Sequence, residues 1–278
     1  MAPTHATTPR LRAPANTCDT HIHVYDPAYP LAPTALGPAP EATHAEYRAL
    51  QERLGLTRTV IVQPSAYGTD NRCTIDGIRA LGLETTRGIA VVDDKVELAE
   101  LKALSAEGMC GARFHMMPGG AIPWEMLDTI AARVQDVGWH VQLQLDGRLL
   151  PEKDAQIRSW PGTIVIDHVG KFLEPVAPDH PAFQCLLGLV DTGRVWVKLS
   201  APYEVSKTGA PYGDVGALAK ALVKAAPERM LWASNWPHPS VKIAPDDADL
   251  LDLLLDWAPD EATRNRILVD NPATLYGF

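Results

Sequence analysis

A chain of 278 residues, 46% hydrophobic and 21% charged, has ordinary globular composition and can bury a large core without disulfides or a structural metal. Its 25 basic and 34 acidic residues leave a net charge of −9, which argues against nucleic acid or an anionic membrane as the main partner. A small anionic substrate stays open, because a few local Arg and Lys suffice to hold one. Cys18, Cys73, Cys110 and Cys185 form no CxxC pair and match no disulfide framework or zinc ribbon, so they are expected as buried free thiols in a reducing compartment.

Residues 1–16 are rich in Ala, Pro and Thr, lack an apolar leader core and are read as a flexible arm, with His5 on the surface. No stretch approaches the ~20 apolar residues of a membrane span, so a soluble cytoplasmic protein folded over 17–278 is expected. From there short β-branched runs alternate with helical patterns. Cys18–Tyr25 (CDTHIHVY) leads into Pro27–Pro40, a Pro-rich loop expected over the mouth of the fold, and then helical Ala45–Leu54. Thr59–Pro64 precedes helical Thr74–Leu83, Arg87–Val92 precedes Val96–Glu107, and Gly111–His115 precedes Trp124–Val137, whose apolar spacing suits a sheet-packed helix. Trp139–Leu145 and Thr163–His168 follow with no helix read between them, then helical Phe183–Asp191. Arg194–Ser200 precedes Val215–Ala226, and Met230–Asn235 precedes Asp247–Trp257 and Asp260–Val269.

Eight near-continuously apolar runs alternating with helices over this length predict parallel strands closed into one α/β barrel, a (β/α)8 TIM barrel. An open doubly wound sheet is the alternative. The chain has no GxGxxG or GxxxxGK[ST] loop, which weakens nucleotide-binding readings.

Barrel active sites sit at the C-terminal ends of the strands, and polar residues collect there. Strand one ends with His21, His23 and Tyr25; strand two with Gln63, Ser65 and Tyr67, then Asn71 and Arg72. Strand four gives Arg113 and His115; strand five Gln142, Gln144 and Asp146; strand six Asp167 and His168, then Lys171. Strand seven gives Lys198, Ser200 and Tyr203, and strand eight Asn235, Trp236 and His238. Any one of these could be a satisfied core or capping side chain; their convergence is what points to a pocket. In His21-x-His23 the i and i+2 positions share one strand face, so both imidazoles enter one cavity, suiting a metal ion or proton transfer. His44 and His180 read as surface residues, and His140, at a strand start, as part of the stability face.

The segments CDTHIHVYDPAYPL, VIVQPSAYGTDN, GARF, IDHVGKF, VWVKLS and ASNWPHPS, running in order from about Asn16 to Phe278, resemble the amidohydrolase-2 branch of the amidohydrolase superfamily. Within it the likeness is to 2-pyrone-4,6-dicarboxylate lactonases, sulfomuconolactone hydrolases and D-galactarolactone isomerases. The resemblance implies a distorted TIM barrel working at a lactone carbonyl, with His21, His23, His168 and Asn235 catalytic. It implies that Arg72, Arg113 and Lys198 recognise substrate carboxylates or hydroxyls and that Tyr47 and Tyr67 line the mouth. Gln63, Ser65, His115, Gln144, Lys171, Tyr203 and His238 complete the expected substrate contacts.

The chain departs from metal-dependent members of the superfamily. Strand five carries Gln142 and Gln144 rather than a ligand, and strand eight ends in Asn235 rather than an aspartate. An amide is a poor zinc ligand and takes no proton at neutral pH. The remaining ligand set is His21, His23 and His168, which with water can hold zinc, but a metal-independent enzyme without cofactor is the expectation. Three functions follow: hydrolysis of a small carboxylated lactone; isomerisation of a sugar-acid lactone, in which a substrate hydroxyl replaces water; or a catalytically inactive barrel that binds a ligand. Asp246 and Asp247 could replace the missing base, but read more simply as the start of a helix. The oligomeric state and the identity of the lactone are not legible.

Overall fold

In the computed structural model, which describes residues 7–278, all eight strands are parallel and lie in the order β1-β2-β3-β4-β5-β6-β7-β8. They are β1 (Cys18–Ile22), β2 (Arg58–Val62), β3 (Thr86–Ala90), β4 (Met109–His115), β5 (His140–Gln144), β6 (Ile164–Ile166), β7 (Val195–Leu199) and β8 (Met230–Trp232). Sequential order and an all-parallel sheet are what right-handed βα units produce on closing, and they rule out the open sheet. Strands β1 and β8 share no regular ladder. They are stitched by Asn235 N donating to His21 O at 3.0 Å, His23 N to Trp236 O at 2.8 Å and Thr20 Oγ1 to Trp232 O at 2.9 Å. The barrel is therefore distorted at the strand pair that carries the HxH motif.

Strands one, six and eight are shorter than their apolar runs because the chain turns out of the sheet as soon as it reaches the mouth. Around the strands lie α1 (His44–Leu54), α2 (Arg72–Leu81), α3 (Leu98–Ala106), α4 (Leu127–Gln135), α5 (Leu150–Ser159), α6 (Pro181–Val190) and α7 (Gly213–Ala225). Helix α1 starts on a Thr43–Glu46 capping box and ends on Gly55 at φ 74°, a conformation that costs glycine nothing. Helix α5 was not legible as a helix: of LPEKDAQIRS only Leu150 and Ile157 are buried, a pair seven residues apart that the polar surroundings hide. The run Asp247–Trp257 divides into α8 (Asp247–Asp252) and α9 (Leu254–Trp257). The predicted Asp260–Val269 becomes α10 (Glu261–Asn265) and a π-helical turn, and the chain continues into α11 (Asn271–Tyr276). Asp246 caps α8, its side chain accepting from Ala248 N.

The barrel interior is apolar at the bottom and polar at the top. Cys18, Val60, Val165, Trp196 and Leu231 fill the lower interior, and Tyr276 from α11 plugs it. His140 packs edge-on against Tyr276 at 5.4 Å between ring centroids, on the stability face. The expected flexible arm needs correcting for residues 7–16. Thr7 N donates to Asp246 Oδ2 at 2.8 Å, Leu11 N to Asp252 Oδ1 at 2.8 Å, and Leu11 is buried. Those residues run along α8 into β1; residues 1–6, with His5, lie outside the described part. No helix among the described residues is long and apolar enough to cross a membrane.

Candidate active site

The pairing of β1 with β2 slips between Asp19 and Ile22, a β-bulge. Bulges re-aim side chains beside active sites. Here Asp19 faces α1, accepting from Tyr47 OH at 3.2 Å and Ser234 N at 2.9 Å, while His21 and His23 both turn inward. Their Nε2 atoms lie 3.3 Å apart. His23 Nδ1 is 2.7 Å from the Val62 carbonyl, which can only accept, so His23 carries its proton on Nδ1.

Above them opens a cavity of about 420 Å³, a size for a small ligand. His23, Arg113, His168 and Asn235 form part of its lining; Ser65, His115, Gln144, Lys171 and Glu204 stand around them. Residues 36–40 of the Pro-rich loop close one side. His168 is delivered by a strained turn after β6: His168, Val169 and Lys171 all have positive φ (55°, 55° and 44°). A β-branched residue in that region is an outlier that surrounding contacts must hold, and such strain clusters at functional sites. The His168 Nδ1 atom bonds Ser200 Oγ at 2.8 Å. Arg113 donates from Nη1 to Gln63 O and from Nη2 to Gln144 Oε1, both at 2.8 Å, and its buried Nε has no partner among the described residues.

Beneath the floor lies a second polar layer without solvent contact. The Lys198 ammonium donates to Thr20 O at 2.8 Å and Gln142 Oε1 at 2.7 Å, and sits 3.3 Å from His21 Nδ1 and 3.6 Å from Asp167 Oδ1. Gln142 Nε2 donates to Asp167 Oδ2 at 3.1 Å. Burial pulls the Lys198 pKa down to about 8, with Asp167 working the other way. Burial also opposes the charge on Asp167, but Lys198, His168, Arg113 and Gln142 outweigh it and keep its pKa below the ordinary aspartate value. Burial drives His21 and His168 well below the usual histidine range and His23 and His115 to about 3, so all four are neutral at pH 7.

Part of the predicted set meets here. His23, Ser65, Arg113, His115, Gln144, His168, Lys171 and Asn235 line the cavity, and His21 and Lys198 lie under it. The rest does not. Arg72 opens α2, points to solvent and pairs with Asp70 at 2.6 Å, so it clamps nothing in the cavity. Tyr47 is wholly buried behind β1. Tyr67 bonds the backbone of Asp26 and so anchors the Pro-rich loop. Gln63 braces the loop before α2 through Gly68 O and Asp70 O, and Asn71 ties that loop to Val91. Tyr203 and His238 stand behind Asn235. Glu204 was missed: it follows Tyr203 in a segment with no motif, yet it bonds Lys171 and Ser240 and lies 3.4 Å from Asn235 Nδ2, joining three loops at the cavity wall.

The donor set suits zinc only in part. Two nitrogens on zinc at 2.0–2.1 Å stand about 3.3 Å apart, the His21–His23 spacing. The other candidate group, His21, Asp167 and His168, has ligand atoms spread over as much as 4.8 Å. Lys198 already supplies a cation beside Asp167, where a dication would be repelled. Among the described residues the spread of the second group exceeds the spacing of a closed tetrahedral site.

A family model described as Amidohydrolase matches residues 18–278. The chain is 37% identical over 275 residues to a D-galactarolactone isomerase of Agrobacterium fabrum, covering 97% of this chain and 94% of that one. It is 34% identical over 286 residues to a 4-sulfomuconolactone hydrolase of Hydrogenophaga intermedia, covering 100% and 94%. A crystal structure of an Agrobacterium tumefaciens protein in its apo form superposes with a TM-score of 0.93 at 36% identity, covering 97% of this chain and 98% of that one.

Proposed function

The chain belongs to the amidohydrolase family, and from that premise we propose that it transfers the acyl group of a small carboxylated lactone, to water in the first reading. The observation that carries this reading is His168: an imidazole at the cavity floor that burial keeps neutral, with Nδ1 2.8 Å from Ser200 Oγ and its other nitrogen without a protein partner among the described residues. Water attacks the lactone carbonyl, its proton passes to His168 Nε2, the ring C–O bond breaks, and the proton leaves with the ring oxygen. The substrate carboxylate lies against Arg113 and Lys171. Lys171 pairs with Glu204 and Lys198 lies beside Asp167, while Arg113 has no carboxylate partner among the described residues and favours the anionic substrate and the developing oxyanion. Neither nucleic acid nor membrane enters this reading. Four free cysteines, of which Cys18 and Cys73 are buried and Cys110 and Cys185 only half-buried, all with pKa values raised by desolvation, support a cytoplasmic enzyme.

A second reading, isomerisation of a sugar-acid lactone, is favoured by Asn235. Its amide stands where a carboxylate base would serve hydrolysis and can orient a substrate hydroxyl without deprotonating it. Turnover of a panel of carboxylated and sugar-acid lactones in water enriched in heavy oxygen separates the two. Label in a ring-opened acid supports hydrolysis, and a rearranged lactone free of label supports isomerisation. Tight binding without turnover of any lactone leaves only a binding barrel.

The reaction is read as independent of metal, because Lys198 already neutralises Asp167. Enzyme dialysed against a chelator and assayed alongside its metal content is expected to keep full turnover at far less than one metal per chain. Activity that vanishes with the metal and returns with zinc would overturn this.

A further inference from the structure

Behind Asn235 a chain of polar side chains leads away from the cavity. Asn235 Nδ2 donates to Tyr203 OH at 2.9 Å, the Tyr203 hydroxyl lies 2.8 Å from His238 Nδ1, and His238 Nε2 lies 3.1 Å from Asp247 Oδ1. The last contact is bent away from ideal hydrogen-bond geometry, yet neither atom has another partner among the described residues. Three of the four residues are nine-tenths or more buried, and Tyr203 is half-buried. The turn from Asn235 to His238 is held by His238 N donating to Asn235 O at 2.9 Å, with both residues at positive φ (64° and 63°). That backbone sends the two side chains to either side of the Tyr203 hydroxyl.

The chemistry of the groups fixes the direction of the chain. A carboxylate only accepts, so the tautomer that suits Asp247 carries the His238 proton on Nε2. In that tautomer His238 Nδ1 is a bare acceptor, and the Tyr203 O–H donates to it. The Tyr203 oxygen is left to accept, and only the amide nitrogen of Asn235 can supply that bond. Glu204 demands the same orientation, since its Oε1 lies 3.4 Å from Asn235 Nδ2 and cannot donate. Asn235 Oδ1 has no protein donor among the described residues, and Asn235 lines the cavity.

We propose that Tyr203, His238 and Asp247 are positioning residues that hold Asn235 with Oδ1 toward the cavity, where it accepts a hydrogen bond from the attacking hydroxyl. An amide turned the other way would present N–H groups, which bind the nucleophile's lone pairs and blunt its attack. The inference rests on the lactone reading and explains how a strand-eight asparagine serves such chemistry without acting as a base. It also gives Tyr203 and His238 a role that needs no contact with substrate.

The test has two arms. Nitrogen NMR of the intact protein is expected to find His238 as the Nε2–H tautomer, with Nδ1 shifting toward its free value in Tyr203→Phe. In kinetics, Tyr203→Phe and His238→Leu are expected to lower kcat about 10- to 100-fold with KM moved by less than about threefold. His238→Gln, whose Oε1 can accept the Tyr203 hydroxyl, is expected to recover most of that loss. An Nδ1–H tautomer, equal losses in His238→Gln and His238→Leu with both folded, or losses confined to KM would each overturn the proposal. If the unmodified enzyme turns over no lactone, the lactone reading falls, and the tautomer still decides the chain.

Discussion

Replacing His168 by Asn is expected to lower kcat by about a thousandfold while leaving KM within a few-fold of its original value. A positioned general base is worth roughly 10²–10⁴ in rate, and His168 lines the cavity with one ring nitrogen on Ser200 and the other without a protein partner among the described residues. The substrate carboxylate meets Arg113 and Lys171, which the substitution leaves in place, so binding should survive. Asparagine keeps a hydrogen bond to Ser200 Oγ and fills part of the imidazole volume, and it tolerates the positive φ of 55° at this position. A folded His168→Asn protein with kcat reduced less than tenfold would remove His168 as the base. The histidine's lowered pKa has a second consequence in the unmodified enzyme. Because burial keeps His168 neutral, kcat/KM should show no acidic limb near pH 6.5, and a loss of activity with that midpoint would place the working base elsewhere.

His168 was legible from sequence because it ends an apolar run, and so were His23, Arg113, Gln144 and Asn235. A strand's period of two and the polarity switch at its end place such residues without any knowledge of packing. The bulge at Asp19–Ile22 was not legible, because it is set by pairing between two strands and by Tyr47 and Ser234 holding Asp19 outside. Arg72 and Tyr67 were drawn toward the cavity by their nearness to a strand end. In a loop, however, the side chain's direction is set by its local partners, here Asp70 and the Asp26 backbone. Glu204 shows the reverse: nothing in its segment marks it, and only the meeting of three loops makes it part of the wall. Helix α5 was hidden for a related reason, since its burial rests on two side chains rather than a stripe. The buried layer under the floor was half legible: Lys198 and Gln142 were expected at the mouth, but the pairing of Lys198 with Asp167 depends on a register that sequence does not carry.

That same burial makes the fold sensitive to acid, and the expected result is cooperative unfolding with a midpoint near pH 5. His21, His23, His115, His140 and His168 all have pKa values lowered by burial, three of them to about 3. In the unfolded chain each takes a proton near pH 6.5, so below that pH the unfolded state binds up to five more protons than the folded state. Stability must then fall as pH falls. Asp19 acts in the opposite direction, because burial raises its pKa to about 6 and the folded state takes up that proton first. The net of about four protons amounts to roughly 5 kcal/mol per pH unit around pH 5, against a total stability of about 5–15 kcal/mol. Urea unfolding measured at half-unit steps from pH 7 to pH 4 reads this slope directly, and a fold that keeps its stability down to pH 4 would contradict the buried neutral histidines. His140 provides the control, since it lies at the barrel bottom against Tyr276, away from the cavity, with Nε2 unpartnered among the described residues. In His140→Leu the slope should decrease by about 1.4 kcal/mol per pH unit, one proton's share, while turnover at pH 7 is preserved. An unchanged slope would mean that His140 takes up its proton in the folded barrel, and that the acid sensitivity belongs to the four histidines of the active site alone.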